Sequence, residues 1–291
     1  MNEGPAASRT AVLVCQGRAV AQGHIAQGRF DDPTALEMLT DAERKPVERA
    51  RSPQPPNKAG ERIEYEMLRA NAEVMVPRTI AIDDAVRGRP TSQLVILGAG
   101  LDGRAWRMRE LSSVDVFEVD QLSSQDDKRR RTRQLEPVAR TLHFVPVDFT
   151  GDELDTSLKT AGHVDSTATT WIWEGVVPYL TPPAVREITG IIGRRSAPGS
   201  RLIVNYQTPS WSAAGGRLLA RALAVLTRRT DPLANEPRRS AWTPESMRAL
   251  LHQHGFTVVS DDDLLSIATA ANLEPRHEHS LSLGRVAIAD K

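Results

Sequence analysis

The sequence predicts an α/β fold in which a mostly parallel sheet carries helices on both faces. Apolar runs of strand length alternate with stretches of helical length from about residue 94 onward. The run from Leu94 to Leu97 contains no polar residue, which is typical of a parallel strand that is buried on both faces. A glycine-rich turn and a helical stretch follow it at once, which is the strand, turn and helix order of a doubly wound sheet.

Seven strands are predicted, and stretches of helical length separate the first five. This alternation favours parallel pairing through helical crossovers, and therefore a Rossmann-like seven-stranded sheet. The last strand lies in a short run, Gly284 to Asp290, which suits antiparallel addition to the sheet. The predicted strands are Leu94 to Gly98, Asp115 to Val119, Leu142 to Val147, Thr169 to Trp173, Arg201 to Tyr206, Phe256 to Ser260 and Arg285 to Ala289.

Helical patterns precede the first strand. The first runs from about Thr10 to Gln27, and a second, short helix begins at Asp32 and Pro33. Three prolines make residues 51–60 a loop or lid, because proline cannot donate a backbone hydrogen bond. The pattern from Glu61 to Arg87 predicts a helix that Pro77 interrupts.

These elements divide the chain into two predicted parts. Residues 1–90 form N-terminal helices and a lid, and residues 91–291 form the Rossmann-like core. Pro209 ends the fifth strand, and a long insertion, about residues 207–241, comes before the next helix. An insertion of this length is a natural place to contact a substrate.

Charge and composition exclude several classes of partner. The 37 basic and 37 acidic residues cancel, so no global positive field attracts nucleic acid or an anionic membrane. Cys15, the single cysteine, excludes a disulfide framework and a zinc site with several cysteines. With no apolar segment of signal or membrane-spanning length, we expect a cytoplasmic protein that binds no metal and acts on a small molecule.

The glycine turn indicates a cofactor that contains adenosine. Gly98, Gly100 and Gly103 match the dinucleotide fingerprint, and Asp120 ends the second strand, where a carboxylate can accept hydrogen bonds from a ribose diol. This pattern alone fits either NAD(P) or S-adenosylmethionine.

Three further carboxylates favour the second cofactor. Asp148 and Glu174 follow the third and fourth strands, and Asp102 lies inside the glycine turn. Carboxyl ends of parallel strands lie along one edge of a sheet. A sulfonium cofactor with an ammonium and a diol suits carboxylates, whereas a pyrophosphate suits helix N-termini and basic groups.

Four ordered blocks resemble the leucine carboxyl methyltransferase-like family of class I S-adenosylmethionine-dependent methyltransferases, especially its actinobacterial small-molecule members. The resemblance spans nearly the whole chain. Many members carry threonine where this chain has Gly103. The blocks are Arg9 to Ala11 with Phe30 to Pro33, Val95 to Trp106, Val116 to Asp120, and Trp173 to Leu180 with Ser196 to Arg201.

The resemblance implies roles for individual residues. It implies that Gly98 and Gly100 pass under the methionine part of the cofactor and that Asp120 holds the ribose. It also implies that Glu174 lies beside the amino-acid end. The remaining cofactor-binding residues implied are Asp148 with Phe149 at the adenine, Arg78 at the carboxylate, and Gln121 next to Asp120.

The acceptor is predicted from chemistry. We expect methylation of an oxygen, in a carboxylate or a hydroxyl of a small molecule from specialised metabolism, by direct displacement. A carboxylate needs no base, whereas a hydroxyl needs one, for which His24, His143 and Tyr179 are candidates. Tyr179 and Tyr206 are the predicted catalytic residues, since each ring could pack against an acceptor while its hydroxyl orients it.

Two alternatives stay open at this point. A nicotinamide-dependent oxidoreductase would use the same glycine turn and Asp120, although no Tyr-x-x-x-Lys pair follows the fourth strand. A binding module without catalysis would keep the fold and lose the chemistry. The sequence also leaves open whether the protein forms a homodimer.

Overall fold

One seven-stranded sheet forms the centre of the computed structural model, which describes residues 8–149, 153–209 and 239–291. All seven predicted strands are present, which confirms the α/β fold class. Their bounds are β1 (Gln93–Leu97), β2 (Asp115–Asp120), β3 (Thr141–Pro146), β4 (Thr169–Trp173), β5 (Arg201–Gln207), β6 (Thr257–Asp263) and β7 (Gly284–Asp290).

The strand order is β3-β2-β1-β4-β5-β7-β6. The first five strands pair in parallel, and β7 pairs antiparallel with both β5 and β6, as the sequence predicts. The chain leaves β1 toward β2 on one side and returns to β4 on the other. This reversal opens a crevice beyond the carboxyl ends of β1 and β4, which is where doubly wound sheets bind ligands.

Helices of the described residues cover both faces of the sheet. Two single 3₁₀ turns, Arg109–Leu111 and Val177–Tyr179, add to them. The α-helices are α1 (Arg9–Ala21), α2 (Thr34–Glu37), α3 (Asp41–Arg51), α4 (Ala59–Gly88), α5 (Arg104–Arg107), α6 (Leu122–Arg131), α7 (Leu154–Thr160), α8 (Pro182–Arg194), α9 (Pro244–Gln253), α10 (Leu264–Ala270) and α11 (Glu278–Leu283).

Side-chain caps fix where several helices begin. The hydroxyls of Thr181 and Thr243 accept hydrogen bonds from the backbone of α8 and α9, and a proline follows each threonine. This pairing satisfies an exposed amide and sets the backbone angle of the first helical residue. Ser8 and Asp263 cap α1 and α10 in the same way.

Helix α4 corrects one prediction, because it continues through Pro77 without interruption. An interior proline costs a helix about 3 kcal/mol. Here Val76, Pro77 and Arg78 are all buried, so tertiary packing offsets that cost. Helix α3 was not predicted, because its charged residues hide its helical pattern. It begins at a capping box between Thr40 and Glu43.

Alternate residues of each central strand enter opposite hydrophobic layers. Ile96, Ile172 and Ile203 pack with the buried faces of α1, α3 and α4. Their neighbours Val95, Trp171 and Leu202 pack against the other layer, with α8 and α9. The division at residue 90 stays a prediction, and the predicted insertion at 207–241 lies mostly outside the described residues.

No helix in the described parts of the chain combines the length and hydropathy that crossing a bilayer requires.

Candidate functional site

A cavity of about 350 Å³ lies at the carboxyl edge of the sheet, where the strand order reverses. Nine of the ten predicted site residues line it. They are Arg78, Gly98, Gly100, Asp120, Gln121, Asp148, Phe149, Glu174 and Tyr179. The structure therefore brings the separate sequence blocks together at one place.

The floor of the cavity is the glycine turn after β1. Gly98 and Gly100 have φ angles of +68° and +46°, a region that L side chains rarely adopt. A Cβ atom on Gly98 would lie 2.2 Å from Cγ2 of Val176. The Gly98 and Ala99 amides donate to the Val119 carbonyl at 2.8 and 3.1 Å, which ties the turn to β2.

At Gly103, helix α2 leaves no room for a side chain. The Gly103 backbone lies against α2, and a Cβ atom would lie 1.9 Å from Oγ1 of Thr34. Thr34 is held in place by a hydrogen bond to Asp32 at 2.7 Å. Glycine is therefore required for the close approach of α2 and not for a special φ angle.

Asp120 is fixed at the end of β2 by two backbone amides. Gly100 donates to Oδ2 at 2.6 Å and Gln121 donates to Oδ1 at 2.7 Å. Burial raises the pKa of Asp120, and these amides oppose the rise because they favour the carboxylate. A carboxylate can accept up to about four hydrogen bonds, so Asp120 can also accept a hydroxyl of a diol.

Glu174 receives an arginine on each of its oxygens. Arg78 Nε lies 2.7 Å from Oε1, and Arg104 Nη1 lies 2.8 Å from Oε2. Burial alone would raise the pKa of Glu174, but Arg78, Arg104 and Arg18 together hold it well below its ordinary value. The carboxylate beside the cavity is therefore charged at neutral pH.

These contacts belong to a larger buried set of charges, which we call the arginine–carboxylate network. Arg104 contacts Asp83 and Asp102, Arg107 contacts Asp83 at 2.7 Å, and Arg18 contacts Asp32 at 3.2 Å. The network contains four cations and four anions. The attraction between these paired charges offsets the free-energy cost of removing them from water. Its members are Arg18, Arg78, Arg104, Arg107, Asp32, Asp83, Asp102 and Glu174.

Most members of this network were not predicted from the sequence. Arg18 lines the cavity, yet the helical pattern around it gave no reason to single it out. A usable signal is Asp83, which interrupts the buried apolar face of α4 between Ile82 and Val86. A charge at such a position needs a buried partner. Arg239, near the end of the predicted insertion, also lines the cavity.

Tyr206 does not lie at the cavity, which corrects its prediction as a catalytic residue. Strand β5 extends one residue further, to Gln207, and turns the Tyr206 ring into the layer beside α9. Its hydroxyl donates to Asp261 at 2.7 Å, and burial raises its pKa beyond the ordinary range. Tyr206 is a buried structural residue.

This placement leads to a test. Tyr206→Phe removes one hydrogen bond to a carboxylate that Arg285 still contacts at 2.9 Å, so we expect a loss of about 1 kcal/mol in the free energy of unfolding. Denaturation by urea measures that loss. Cofactor affinity should not change. A loss of cofactor binding in the folded variant would mean that Tyr206 belongs to the functional site after all.

Other candidate residues of the sequence are explained by packing. Trp171 and Trp173 are aromatic residues that could form the wall of an acceptor pocket, but both are fully buried in the core, and Trp211 lies outside the described residues. His24 and His143, the alternative bases, do not line the cavity. Helix α6 ends in a run of basic residues, Lys128 to Arg131, and this run is paired within the protein, since Arg131 contacts Glu43 at 2.6 Å. In the parts of the chain that are described, no three metal-binding side chains cluster.

Comparison with known proteins identifies the family. The family model for leucine carboxyl methyltransferase matches residues 11–192, which include the glycine turn, Asp120 and Glu174. The chain belongs to the leucine carboxyl methyltransferase family. The predicted resemblance is thereby confirmed.

Relatives in actinobacteria support this membership. A Frankia alni protein, assigned by inference as an S-adenosyl-L-methionine-dependent methyltransferase, is 35% identical over 66% of this chain and 66% of its own length. A Streptomyces coelicolor protein with the same inferred assignment is 35% identical over 44% of this chain and 46% of its own length. The chain thus matches about half to two thirds of the length of these relatives. Neither assignment supports the oxidoreductase alternative.

Solved structures confirm the fold. A protein from Thermobifida fusca, described by inference as a methyltransferase, has a TM-score of 0.55 at 17% identity, covering 99% of this chain and 95% of that one. A DUF574 family protein from Streptomyces avermitilis also has a TM-score of 0.55, at 14% identity, covering 94% of this chain and 96% of that one. At these identities the likeness concerns the fold alone.

Proposed function

We propose that this member of the leucine carboxyl methyltransferase family transfers a methyl group from S-adenosylmethionine to an oxygen of a small molecule in specialised metabolism. The observation that carries the proposal is the cavity itself. Its lining combines an anchored ribose acceptor, Asp120, with a doubly paired carboxylate, Glu174, and a buried arginine, Arg78.

The donor groups in the cavity fit the chemistry of this cofactor. Asp120 would accept the ribose hydroxyls, and Glu174 would face the ammonium while Arg78 faces the carboxylate. Asp148 and Phe149, just beyond β3, would hold the adenine, since an aromatic ring and an acceptor suit a base with an amino group. The paired glycines keep the floor clear of side chains.

The cofactor supplies an activated methyl group when bound. The protein must then orient an acceptor and exclude water, because displacement at carbon requires alignment of the reacting atoms. Val176, Tyr179 and Leu180 line the cavity on the segment after β4, and Arg239 lies against the same segment through its amide, which donates to Pro178 at 2.7 Å. These residues would contact the acceptor.

Among oxygen acceptors we favour a carboxylate. A carboxylate is already charged and needs no base. A hydroxyl would rely on Tyr179, which is the remaining candidate for orienting it. We also propose a cytoplasmic enzyme that needs no metal, nucleic acid or membrane, consistent with its balanced charge. Sedimentation would decide whether it forms a homodimer.

Calorimetry with S-adenosylhomocysteine tests the function directly. We expect micromolar binding to the wild-type protein, and we expect Asp120→Ala to weaken it by about tenfold to hundredfold, because two ribose hydrogen bonds to a charged acceptor are lost.

Asp115→Ala is the matched control, since Asp115 lies at the amino end of β2, whereas Asp120 lies at its carboxyl end beside the cavity. It should leave the affinity unchanged. No binding of S-adenosylhomocysteine by folded wild-type protein, together with binding of NADH, would replace the proposal with the oxidoreductase alternative.

A further inference from the structure

Arg104 joins the two carboxylates of the candidate cofactor site to the body of the protein. Its guanidinium contacts Asp83 on α4 at 2.7 Å, Glu174 after β4 at 2.8 Å, and Asp102 in the glycine turn. The side chain is fully buried and does not line the cavity. It therefore acts on a ligand only through the carboxylates that it holds.

Asp102 and Glu174 both line the cavity, and each would oppose the charge of the other. Two carboxylates that share a desolvated site do not both stay ionised unless a cation compensates them. Arg104 contacts both, and Arg78 contacts only Glu174. Burial raises the pKa of Asp102, but Arg104 and then Arg18 lower it below its ordinary value despite the presence of Glu174.

The structure also offers an internal comparison. Arg107 is buried in the same network and contacts the same Asp83, at 2.7 Å, together with Asp32 at 3.6 Å. No contact joins Arg107 to Asp102 or to Glu174 in the described residues. Arg104 and Arg107 thus share burial and a partner but differ in their connection to the cavity.

We propose that Arg104 is a positioning residue, which keeps Asp102 and Glu174 charged and correctly oriented to receive the ammonium of an amino-acid-bearing cofactor. This inference rests on the proposed function. Arg104 would thus favour ligands that carry an amino-acid end, although it does not contact the ligand itself. A ligand without that end should bind independently of Arg104.

The test compares two ligands across matched variants. S-adenosylhomocysteine carries the amino-acid end, and 5′-methylthioadenosine lacks it. For Arg104→Met we expect calorimetry to show S-adenosylhomocysteine weakened by about tenfold to hundredfold, and 5′-methylthioadenosine changed by less than about threefold. Arg107→Met should leave the ratio of the two affinities at its wild-type value, although it removes a buried arginine of the same network.

Arg104→Lys keeps the test decisive if Arg104→Met does not fold. A single ammonium cannot reach three carboxylates as the forked guanidinium does, so the affinity ratio should still fall.

The outcomes separate the two ideas. Equal loss of both ligands in the folded Arg104 variants, or an unchanged ratio in Arg104→Lys, would overturn the positioning role and leave the proposed function intact. Failure of the wild-type protein to bind either ligand would overturn the proposed function, and the positioning role with it.

Discussion

Replacing Gly98 with alanine is expected to destabilise the fold by about 2–4 kcal/mol, because a strained φ angle and a steric clash act together. The new Cβ would lie 2.2 Å from Cγ2 of Val176 at a φ of +68°. The turn must then move away from Val176, and the floor of the cavity moves with it. Binding of S-adenosylhomocysteine should weaken by about hundredfold or more. Denaturation by urea and calorimetry measure the two effects.

Gly28→Ala is the matched control for the backbone term. Gly28 has a φ of +80°, and a Cβ there would meet no atom within 4 Å. It should cost about 1–2 kcal/mol and leave cofactor affinity unchanged. In the double variant Gly98→Ala with Val176→Ala, the stability lost to the clash should be recovered. The loss that comes from the positive φ angle should remain. Equal stability of the Gly98 and Gly28 variants would refute the steric argument.

The sheet was predictable because buried parallel strands are distinctive. The run at Leu94 to Leu97 has all its residues buried, as does Thr169–Trp173, and both predictions hold within one residue. Helix α3 and the continuity of α4 were not predictable in the same way. The proline at position 77 argues locally against a continuous α4, and the many charged residues of α3 hide its helical pattern. In both helices, burial against residues distant in the sequence outweighs these local preferences.

The cofactor side of the site was predictable because strand ends place their residues at one edge. Asp120 and Glu174 needed only the order of the strands to be brought together. Tyr206 was misplaced because the prediction ended β5 one residue early, at the edge of the cavity. In the structure, pairing of Gln207 with Gly284 continues the strand, and side-chain alternation turns Tyr206 into the core.

The buried Glu118 was not singled out by the sequence analysis, since its partner is ten residues away on α6. Glu118 Oε2 lies 2.6 Å from Lys128 Nζ, and both side chains are 1% exposed. The Lys128 ammonium also lies 5.1 Å from the centre of the Trp106 ring. Removing one partner of such a buried pair strongly destabilises the fold, because the remaining charge is then buried without a partner and without water.

Lys128→Met is therefore expected to lower the free energy of unfolding by about 3–5 kcal/mol at pH 8. The methionine fills the space of the lysine stem, so the loss reports the stranded Glu118 carboxylate and not a cavity. At pH 5.5 the loss should be smaller, because Glu118 can take up a proton and become neutral. Urea denaturation at the two pH values measures both.

Glu118→Leu with Lys128→Met is the matched control, since it removes both charges. We expect its stability to lie within about 1 kcal/mol of the wild type, or above it, because the two desolvation costs disappear with the pair. A double variant as unstable as Lys128→Met would instead mean that the aliphatic stem of Lys128 stabilises this layer by packing.

The stability of the double variant should depend on pH differently from that of the wild type. Burial raises the pKa of Glu118 to about 7, and Lys128 only partly opposes this. Between the ordinary value of 4.5 and about 7, the native protein then holds a proton that the unfolded chain releases. The Glu118 contribution to stability therefore falls as pH rises through that window and is constant above it. Removing the pair should remove this fall, so the double variant should gain stability relative to the wild type between pH 5 and pH 7.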